Sequence, residues 1–170
     1  YVPYDDEGTC ARKNYLIKNG VLAGRLHSVQ TAAALDEALT GNARATDCTF
    51  EPIVRMTTTY IEGGDLDFDQ LIASIQKGYF IKTINHGSGM STFTIAPSLA
   101  YEIVDGKLGR PVQISVLTGS VFETLGLIDG LTRDVHLLSF VTGGCGKMEQ
   151  MNLPVGFGGS YVRVSSMNVQ

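Results

Sequence analysis

Two short turn sequences lie between runs of apolar and β-branched residues, and they constrain the fold more than any other feature. Asn19-Gly20 lies between two short apolar runs, and Asp105-Gly106 lies between residues 99–104 and 107–112. Asn-Gly and Asp-Gly favour two-residue hairpin turns, because both positions tolerate a positive φ. The sequence therefore predicts an antiparallel β-hairpin at each place.

Three segments have the features of short helices. Ser28 is a candidate N-cap for a helix over residues 29–39, and Asp67 is a candidate N-cap for a helix over 68–77. Ser and Asp are favoured at this position because their side chains accept a hydrogen bond from a free backbone N–H. A further short helix is predicted over residues 120–126.

Most of the remaining chain is predicted to be β-structure. The predicted strands span residues 53–61, 79–84, 91–96, 99–104, 107–112, 135–140 and 161–167. The Gly-rich segment 85–89 is predicted to be a flexible loop. Strands and helices do not alternate in βαβ units. The sequence therefore predicts a single β-rich α+β domain over residues 1–170, a mostly antiparallel sheet or a barrel-like form with two to three short helices.

Composition excludes several classes of function. The net charge is −4 and no basic cluster is longer than Arg12-Lys13, which argues against nucleic-acid binding. No apolar run approaches the roughly 20 residues that cross a bilayer, so no membrane is expected. Three widely spaced cysteines imply no disulfide framework and favour the cytoplasm. Because Tyr1 opens the sequence in place of Met, we expect the chain to be part of a longer protein.

Cys145 is the strongest candidate for chemistry. It lies in the run Gly143-Gly144-Cys145-Gly146-Lys147, which is predicted to form a loop directly after a strand. The flanking glycines allow close approach of another group. Lys147 would favour the thiolate, which is the form that attacks carbonyls and binds zinc. The spacing alone leaves a reactive thiol and a tight structural turn equally open.

The other cysteines and the histidines are weaker candidates. Cys10 and Cys48 are expected to be unreactive small side chains that fill space. His27 and His136 fall in or beside predicted strands, where a single histidine is usually a surface group or a satisfied core group. His86 lies in the predicted Gly-rich loop and is a candidate for a site contact.

The chain contains no complete catalytic set. It lacks His-Glu-x-x-His, Cys-x-x-Cys, Gly-x-Ser-x-Gly and a Walker loop. The Gly-rich stretch 154–159 does not lie between a strand and the start of a helix, so it is not predicted to bind phosphate.

Four short motifs occur in a fixed order along nearly the whole chain. They are Asp5-Asp6-Glu7-Gly8, Thr40-Gly41-Asn42-Ala43-Arg44, Pro52-Ile53-Val54-Arg55-Met56-Thr57 and Cys145-Gly146-Lys147-x-x-Gln150 with Pro154-Val155-Gly156 after it. With these motifs the chain resembles the C-terminal region of the TldD/PmbA family, once described as modulators of DNA gyrase and now understood as zinc metallopeptidases. The Cys-Gly-Lys signature makes it similar to the TldD-like members rather than the PmbA-like partners.

The resemblance implies a specific metal site. In such enzymes a His-Glu-x-x-x-His helix of the preceding region supplies two zinc ligands and a general base, and the signature cysteine is the third protein ligand. Cys145 would then be a zinc ligand and not a nucleophile. The helix is absent from residues 1–170, so this chain alone is expected to be inactive and to lack zinc. Lys147, His86 and Arg55 are expected to neighbour the site.

The resemblance also implies partners. Family members form dimers, so a homodimer or a heterodimer with a PmbA-like subunit is expected. The substrate would be a peptide or an unfolded polypeptide that enters a cavity as an extended strand. Residues 53–60 and 85–89 are expected to lie near this cavity.

Two alternatives stay open at this point. One is a thiol hydrolase in which Cys145 is the nucleophile and His86 or His136 is the base. The other is a non-catalytic assembly or peptide-binding module in which the glycines have a purely structural role.

Overall fold

The computed structural model describes residues 2–170, so Tyr1 lies outside the described residues. The side chains at positions 142 and 143 also lie outside the description. Within this range there are three helices, α1 (Val29–Leu35), α2 (Phe68–Ile72) and α3 (Val121–Gly126). The strands are β1 (Ile17–Lys18), β2 (Val21–Leu22), β3 (Ala43–Arg44), β4 (Ile53–Val54), β5 (Thr58–Ile61), β6 (Lys77–Gly89), β7 (Thr92–Val104), β8 (Lys107–Val112), β9 (Leu117–Ser120), β10 (Ile128–Leu131), β11 (His136–Lys147), β12 (Gln150–Gly159), β13 (Val162–Val164) and β14 (Asn168–Val169).

The predicted β-rich α+β class is confirmed. The strand pairs β1–β2, β3–β4, β6–β7 and β7–β8 are all antiparallel. The sheets of the described residues are open, so the sheet form is realised and the barrel-like form is not. The chain divides into two compact units, the first made of Tyr1–Tyr60 and His136–Gly158 and the second of Ile61–Val135 and Gly159–Gln170.

The second unit is built on a five-stranded sheet. Its strands follow the order β14-β9-β7-β6, and β8 also pairs with β7. Asp105 and Gly106 join β7 to β8 with φ values of 47° and 73°, which confirms the predicted two-residue turn. The core of this sheet contains the buried side chains of Ala100, Ile114 and Leu117.

The predicted loop at residues 85–89 is wrong, because β6 continues through it. Gly87 pairs with Ile95, and Gly89 pairs with Phe93 on β7. Register shifts between residues 81 and 86 absorb the irregular sequence of this stretch. Glycine and polar residues have low β-propensity, but the long neighbouring strand supplies the hydrogen bonds that keep them extended.

The first two helices begin where predicted but end earlier, whereas α3 begins one residue later than predicted and ends at the predicted residue. Ser28 and Asp67 each form a capping box with the residue three positions later. The first helix ends at Leu35, and Asp36 terminates it in the left-handed conformation with φ 52°. Caps depend on local hydrogen bonds, whereas helix length depends on packing, and only Ala32 of α1 is buried.

The longest helix of residues 2–170 has seven residues, and none is long and apolar enough to cross a membrane.

The first unit contains two small strand pairs. Asn19 and Gly20 join β1 to β2 with φ values of 51° and 76°, so this predicted hairpin is also confirmed. β3 pairs with β4, placing Ala43 opposite Val54. The predicted strand 53–61 is interrupted between β4 and β5, at the point where Arg55 turns into the interior.

The predicted Gly-Gly-Cys-Gly loop is wrong, because β11 extends through Cys145 to Lys147. Met148 and Glu149 connect β11 to β12, and Met148 adopts φ 54°. A two-residue connection makes the pair an antiparallel hairpin. A Cβ added at Gly144 would lie 2.0 Å from the carbonyl oxygen of Leu153, so glycine is needed here for close approach of the two backbones.

The two glycines that flank Cys145 are expected to differ sharply in tolerance. Gly144→Ala should lower the free energy of unfolding by about 2 kcal/mol or more, because its Cβ meets backbone. Gly146→Ala is the matched control, since its Cβ would meet only the exposed Met151 side chain, which can move. Urea unfolding of the intact protein measures both. Equal losses in the two variants would contradict the close approach at Gly144.

The cap of α2 is expected to contribute to stability. Asp67 accepts the N–H of Gln70 at 2.8 Å, and the Gln70 side chain accepts the N–H of Asp67 at 2.9 Å. Asp67→Ala should therefore cost about 1 kcal/mol in urea unfolding. Asp65→Ala, at a nearby exposed position, should be close to neutral. A neutral Asp67→Ala would show that the capping box contributes nothing.

Candidate functional site

Cys145 is half-buried near the end of β11. Its Sγ lies 3.9 Å from the carbonyl oxygen of Gly146, a weak contact that leaves the sulfur available to another group. Its own carbonyl oxygen accepts a hydrogen bond from Nη2 of Arg55. The thiol is therefore held by a strand whose backbone is anchored by a buried arginine.

Arg55 follows β4 and is only 2% exposed. Its backbone N–H donates to the carbonyl oxygen of Asn42 at 2.8 Å, and its carbonyl oxygen accepts from Nδ2 of Asn42 at 3.3 Å. These bonds turn the chain so that the side chain points inward, against the segment that carries Cys145. Nε and Nη1 of the guanidinium are buried without a partner among the described residues.

Arg44, the last residue of β3, brings a second guanidinium to this region. Its Nη1 donates to the carbonyl oxygens of Met56 at 2.8 Å and Pro154 at 3.0 Å. Burial lowers the pKa of Arg44, while the carboxylate of Asp6 raises it, the charge of Arg55 lowers it and Cys145 raises it. Asp6, Arg55 and Cys145 thus each lie close enough to Arg44 to influence its guanidinium electrostatically.

Lys147 and Gln150 connect the β11–β12 hairpin to the segment around β4. Nζ of Lys147 donates to the carbonyl oxygen of Val54 at 2.8 Å, so the ammonium group binds backbone instead of the sulfur. The side chain of Gln150 is 3% exposed. Its Nε2 donates to the carbonyl oxygen of Glu51 at 2.9 Å, and its Oε1 accepts the N–H of Thr46 at 3.0 Å.

Asp5 and Asp6 make hydrogen bonds to the backbone of β3. The carboxylate of Asp5 is 6% exposed and accepts the backbone N–H groups of Glu7, Thr9 and Ala43. The N–H of Asp6 donates to the carbonyl oxygen of Ala43 at 2.9 Å. These backbone contacts position the strand that carries Arg44.

All four sequence motifs therefore meet in the first unit. The acidic turn holds β3, β3 pairs with β4, and the residue after β4 reaches the Cys145 carbonyl. We name this cluster the Cys145 cluster: Asp5, Asp6, Asn42, Arg44, Arg55, Cys145, Lys147 and Gln150. Arg44, Asn42 and Gln150 were not predicted as site residues, although each lies in a quoted motif, and motif membership is the signal that could have identified them.

The predicted contact of His86 with the site stays a prediction. The structure places His86 on β6 opposite Ala96, with an exposed side chain, and not in a loop. His136 lies nine residues before Cys145 on the same extended strand, a separation of about 30 Å. His136 therefore lies far outside hydrogen-bond reach of the thiol, which removes it as the base of a thiol hydrolase.

His27 was expected to be either a surface group or a core group with its hydrogen bonds satisfied, and the structure shows the second. It is 2% exposed, and its Nε2 lies 2.7 Å from Oε2 of Glu37 while Nδ1 lies 3.1 Å from Oγ1 of Thr31. Cys10 and Cys48 are exposed, so the prediction that they fill interior space is wrong. Sequence alone does not distinguish an apolar interior position from a surface turn for so small a side chain.

The described residues do not complete a metal site. No group of three or more His, Cys, Asp and Glu side chains within them is arranged to hold a metal ion. Cys145 offers one thiolate donor, and a catalytic zinc takes three protein ligands and leaves one position open. The available donor is thus compatible with one ligand of a site whose other ligands come from elsewhere.

Comparison with known proteins identifies the family. The sequence profile of the PmbA/TldA metallopeptidase C-terminal domain matches residues 1–170. A metalloprotease of Synechocystis sp. is 40% identical over 169 residues, which cover 98% of this chain and 36% of that protein. A zinc metalloprotease TldD homologue of Saccharolobus solfataricus is 30% identical over 170 residues, covering 99% of this chain and 38% of that protein.

The fold is shared with a solved structure. The crystal structure of TldE from Thermococcus kodakarensis has a TM-score of 0.70 at 23% identity and covers 95% of this chain and 36% of its own. The chain spans a little over a third of the length of these relatives. Together with the convergence of the four motifs, the profile match shows that the chain belongs to the PmbA/TldA metallopeptidase C-terminal domain family.

Proposed function

We propose that this chain is the C-terminal domain of a TldD-like zinc metallopeptidase and that Cys145 is one of its zinc ligands. The observation that carries the proposal is that four separate motifs meet in one cluster, in which Arg55 binds the backbone of Cys145. Two cationic side chains make backbone hydrogen bonds here: Arg55 binds the carbonyl oxygen of Cys145, and Lys147 binds that of Val54.

The donor chemistry agrees with this role. A thiolate is a strong zinc ligand, and the Sγ of Cys145 has only a weak contact with the Gly146 carbonyl. The two remaining protein ligands would be histidines of a His-Glu-x-x-x-His motif outside residues 1–170. When bound in such a site, zinc polarises the scissile carbonyl and lowers the pKa of its water.

The residues of this chain would position the ligand. Arg55 binds the carbonyl oxygen of Cys145. Lys147, two positions after Cys145 on β11, binds the carbonyl oxygen of Val54 on β4. Both contacts are made to backbone, so they restrain the direction in which the cysteine side chain leaves the strand. Such restraint orients a metal ligand before the metal binds.

The substrate is proposed to be a peptide or an unfolded polypeptide bound in an extended form. Within the described residues, β11 lies at one end of the sheet β11-β12-β5, so one of its edges is not paired in that sheet. An extended peptide can add to such an edge through main-chain hydrogen bonds. The expectation that residues 53–60 lie near the substrate cavity agrees with the contacts of Arg55 and Val54 with the segment that carries Cys145. The same expectation for residues 85–89 stays a prediction.

The assembly is proposed to be a dimer, either of identical subunits or with a PmbA-like partner. TldE, whose crystal structure shares this fold, is a named member of the same group. A cytoplasmic location and the absence of nucleic-acid and membrane partners remain part of the proposal, based on the acidic net charge of −4 and the free cysteines.

The zinc content of the intact protein tests the proposal. Cys145→Ser should lose bound zinc, and peptidase activity should fall by more than about 100-fold, because even the partners of metal ligands contribute 10–100-fold. Metal analysis after gel filtration and a fluorogenic peptide assay measure the two effects.

Cys48→Ser is the matched control, because Cys48 is free and exposed. It should retain both zinc and activity. A Cys145→Ser protein with unchanged zinc and unchanged peptidase activity would refute the assignment.

A further inference from the structure

Arg55 is a buried cation whose hydrogen-bonding capacity is mostly unused. The side chain is 2% exposed, and Nε and Nη1 have no partner among the described residues. Only Nη2 is engaged, by the carbonyl oxygen of Cys145. A buried guanidinium in this state is costly, since each unsatisfied charged donor loses its hydration without compensation.

The surrounding charges increase this cost. The charge of Arg55 lowers the pKa of Arg44, so the two guanidinium groups lie close together. The ammonium group of Lys147 binds the carbonyl oxygen of Val54, the residue before Arg55. Asp6 is the acidic side chain that acts on Arg44. The charged side chains of the Cys145 cluster are three cations, Arg44, Arg55 and Lys147, and two carboxylates, Asp5 and Asp6, and neither carboxylate is bonded to Arg55.

Among the described residues, Arg55 differs from the three arginines that the structure places in ion pairs with carboxylates, which are Arg25, Arg110 and Arg163. Arg163 lies 2.6 Å from its carboxylate partner. Arg110 has a carboxylate at 3.4 Å although it is 80% exposed and therefore needs one least. The most buried guanidinium of the cluster has none within the described residues.

We propose that Arg55 is a carboxylate-binding residue and that the carboxylate comes from outside residues 2–170. A carboxylate oxygen bonded to Nε or Nη1 would neutralise the buried charge and satisfy the unused donors. Both atoms are covered within the described residues, so binding of the carboxylate requires side chains around the guanidinium to rearrange.

Two sources have this chemistry. One is an acidic side chain in another part of the protein that carries this chain. The other is a carboxylate of a bound peptide, which rests on the proposed peptidase function. Neither source requires that Cys145 bind zinc, so the two proposals can fail separately.

Binding of small carboxylates to the intact protein distinguishes the sources. N-acetylglycine represents a peptide C-terminus, and N-acetylglycinamide is its uncharged match. If a peptide carboxylate occupies the site, N-acetylglycine should raise the thermal midpoint and the amide should not. This rise in the thermal midpoint should disappear in Arg55→Met. A rise that persists in Arg55→Met comes from binding at another site and does not support the proposal.

The stability of Arg55→Met tests the internal source. If an acidic side chain of the protein binds Arg55, methionine leaves that carboxylate buried and unpaired, and the thermal midpoint relative to wild type should fall more at neutral pH than at about pH 5, because the buried carboxyl group is neutral at the lower pH. If Arg55 stays unpaired, methionine removes the hydrogen bond to the Cys145 carbonyl and no carboxylate partner, and any fall should be the same at both pH values. Arg110→Met is the control, with an exposed guanidinium and no expected change. Zinc analysis of the same proteins shows whether the metal site is intact.

A midpoint change in Arg55→Met that is the same at both pH values, with no Arg55-dependent response to N-acetylglycine, would overturn the proposal. Should Arg55→Met fail to fold, a crystal structure of the intact wild-type protein with and without N-acetylglycine decides. The expected result is a carboxylate oxygen within about 3.2 Å of Nε or Nη1. Water or backbone oxygen alone at both atoms, in both crystals, would contradict it.

Discussion

The arrangement of the first unit depends on the burial of Arg55. The side chain can turn inward because Asn42 binds its backbone on both sides, and Asn42 is placed there by the strand that Asp5 holds. Once inside, the guanidinium binds the carbonyl of Cys145 on a strand 90 positions further along the chain. One buried cation thus connects two segments that hydrophobic packing alone would not bring into a fixed register.

Close pairing of β11 with β12 explains the glycine before Cys145. Gly144 allows the backbone of β11 to approach Leu153 of β12, at a distance that no Cβ permits. The cysteine therefore projects from a tightly paired hairpin and not from a flexible loop, which suits a residue that must hold one direction. This chain contributes two properties to the proposed metal site: a rigid strand β11, and the buried guanidinium of Arg55 that binds the strand at Cys145.

Local chemistry was predictable from the sequence, and long-range pairing was not. Asn19-Gly20, Asp105-Gly106, Ser28 and Asp67 act through hydrogen bonds and dihedral angles within a few residues, so their turns and caps were predicted correctly. Gly87 and Gly144 lie in strands because a partner strand pairs with them, which no local pattern reveals. For the site, Cys145 was identified from its glycine run, and its expected role and Arg55 came from the motifs. The spatial meeting of those motifs and the unpaired guanidinium required coordinates.

X-ray absorption at the zinc K-edge of the intact protein tests the role of Cys145 most directly. The account predicts one sulfur at about 2.3 Å together with nitrogen neighbours at about 2.0–2.1 Å. Sulfur scatters differently from nitrogen and oxygen, so a single thiolate ligand is detectable without any mutation. A first shell of nitrogen and oxygen alone, in a protein with full zinc occupancy, would contradict the central claim that Cys145 binds the metal.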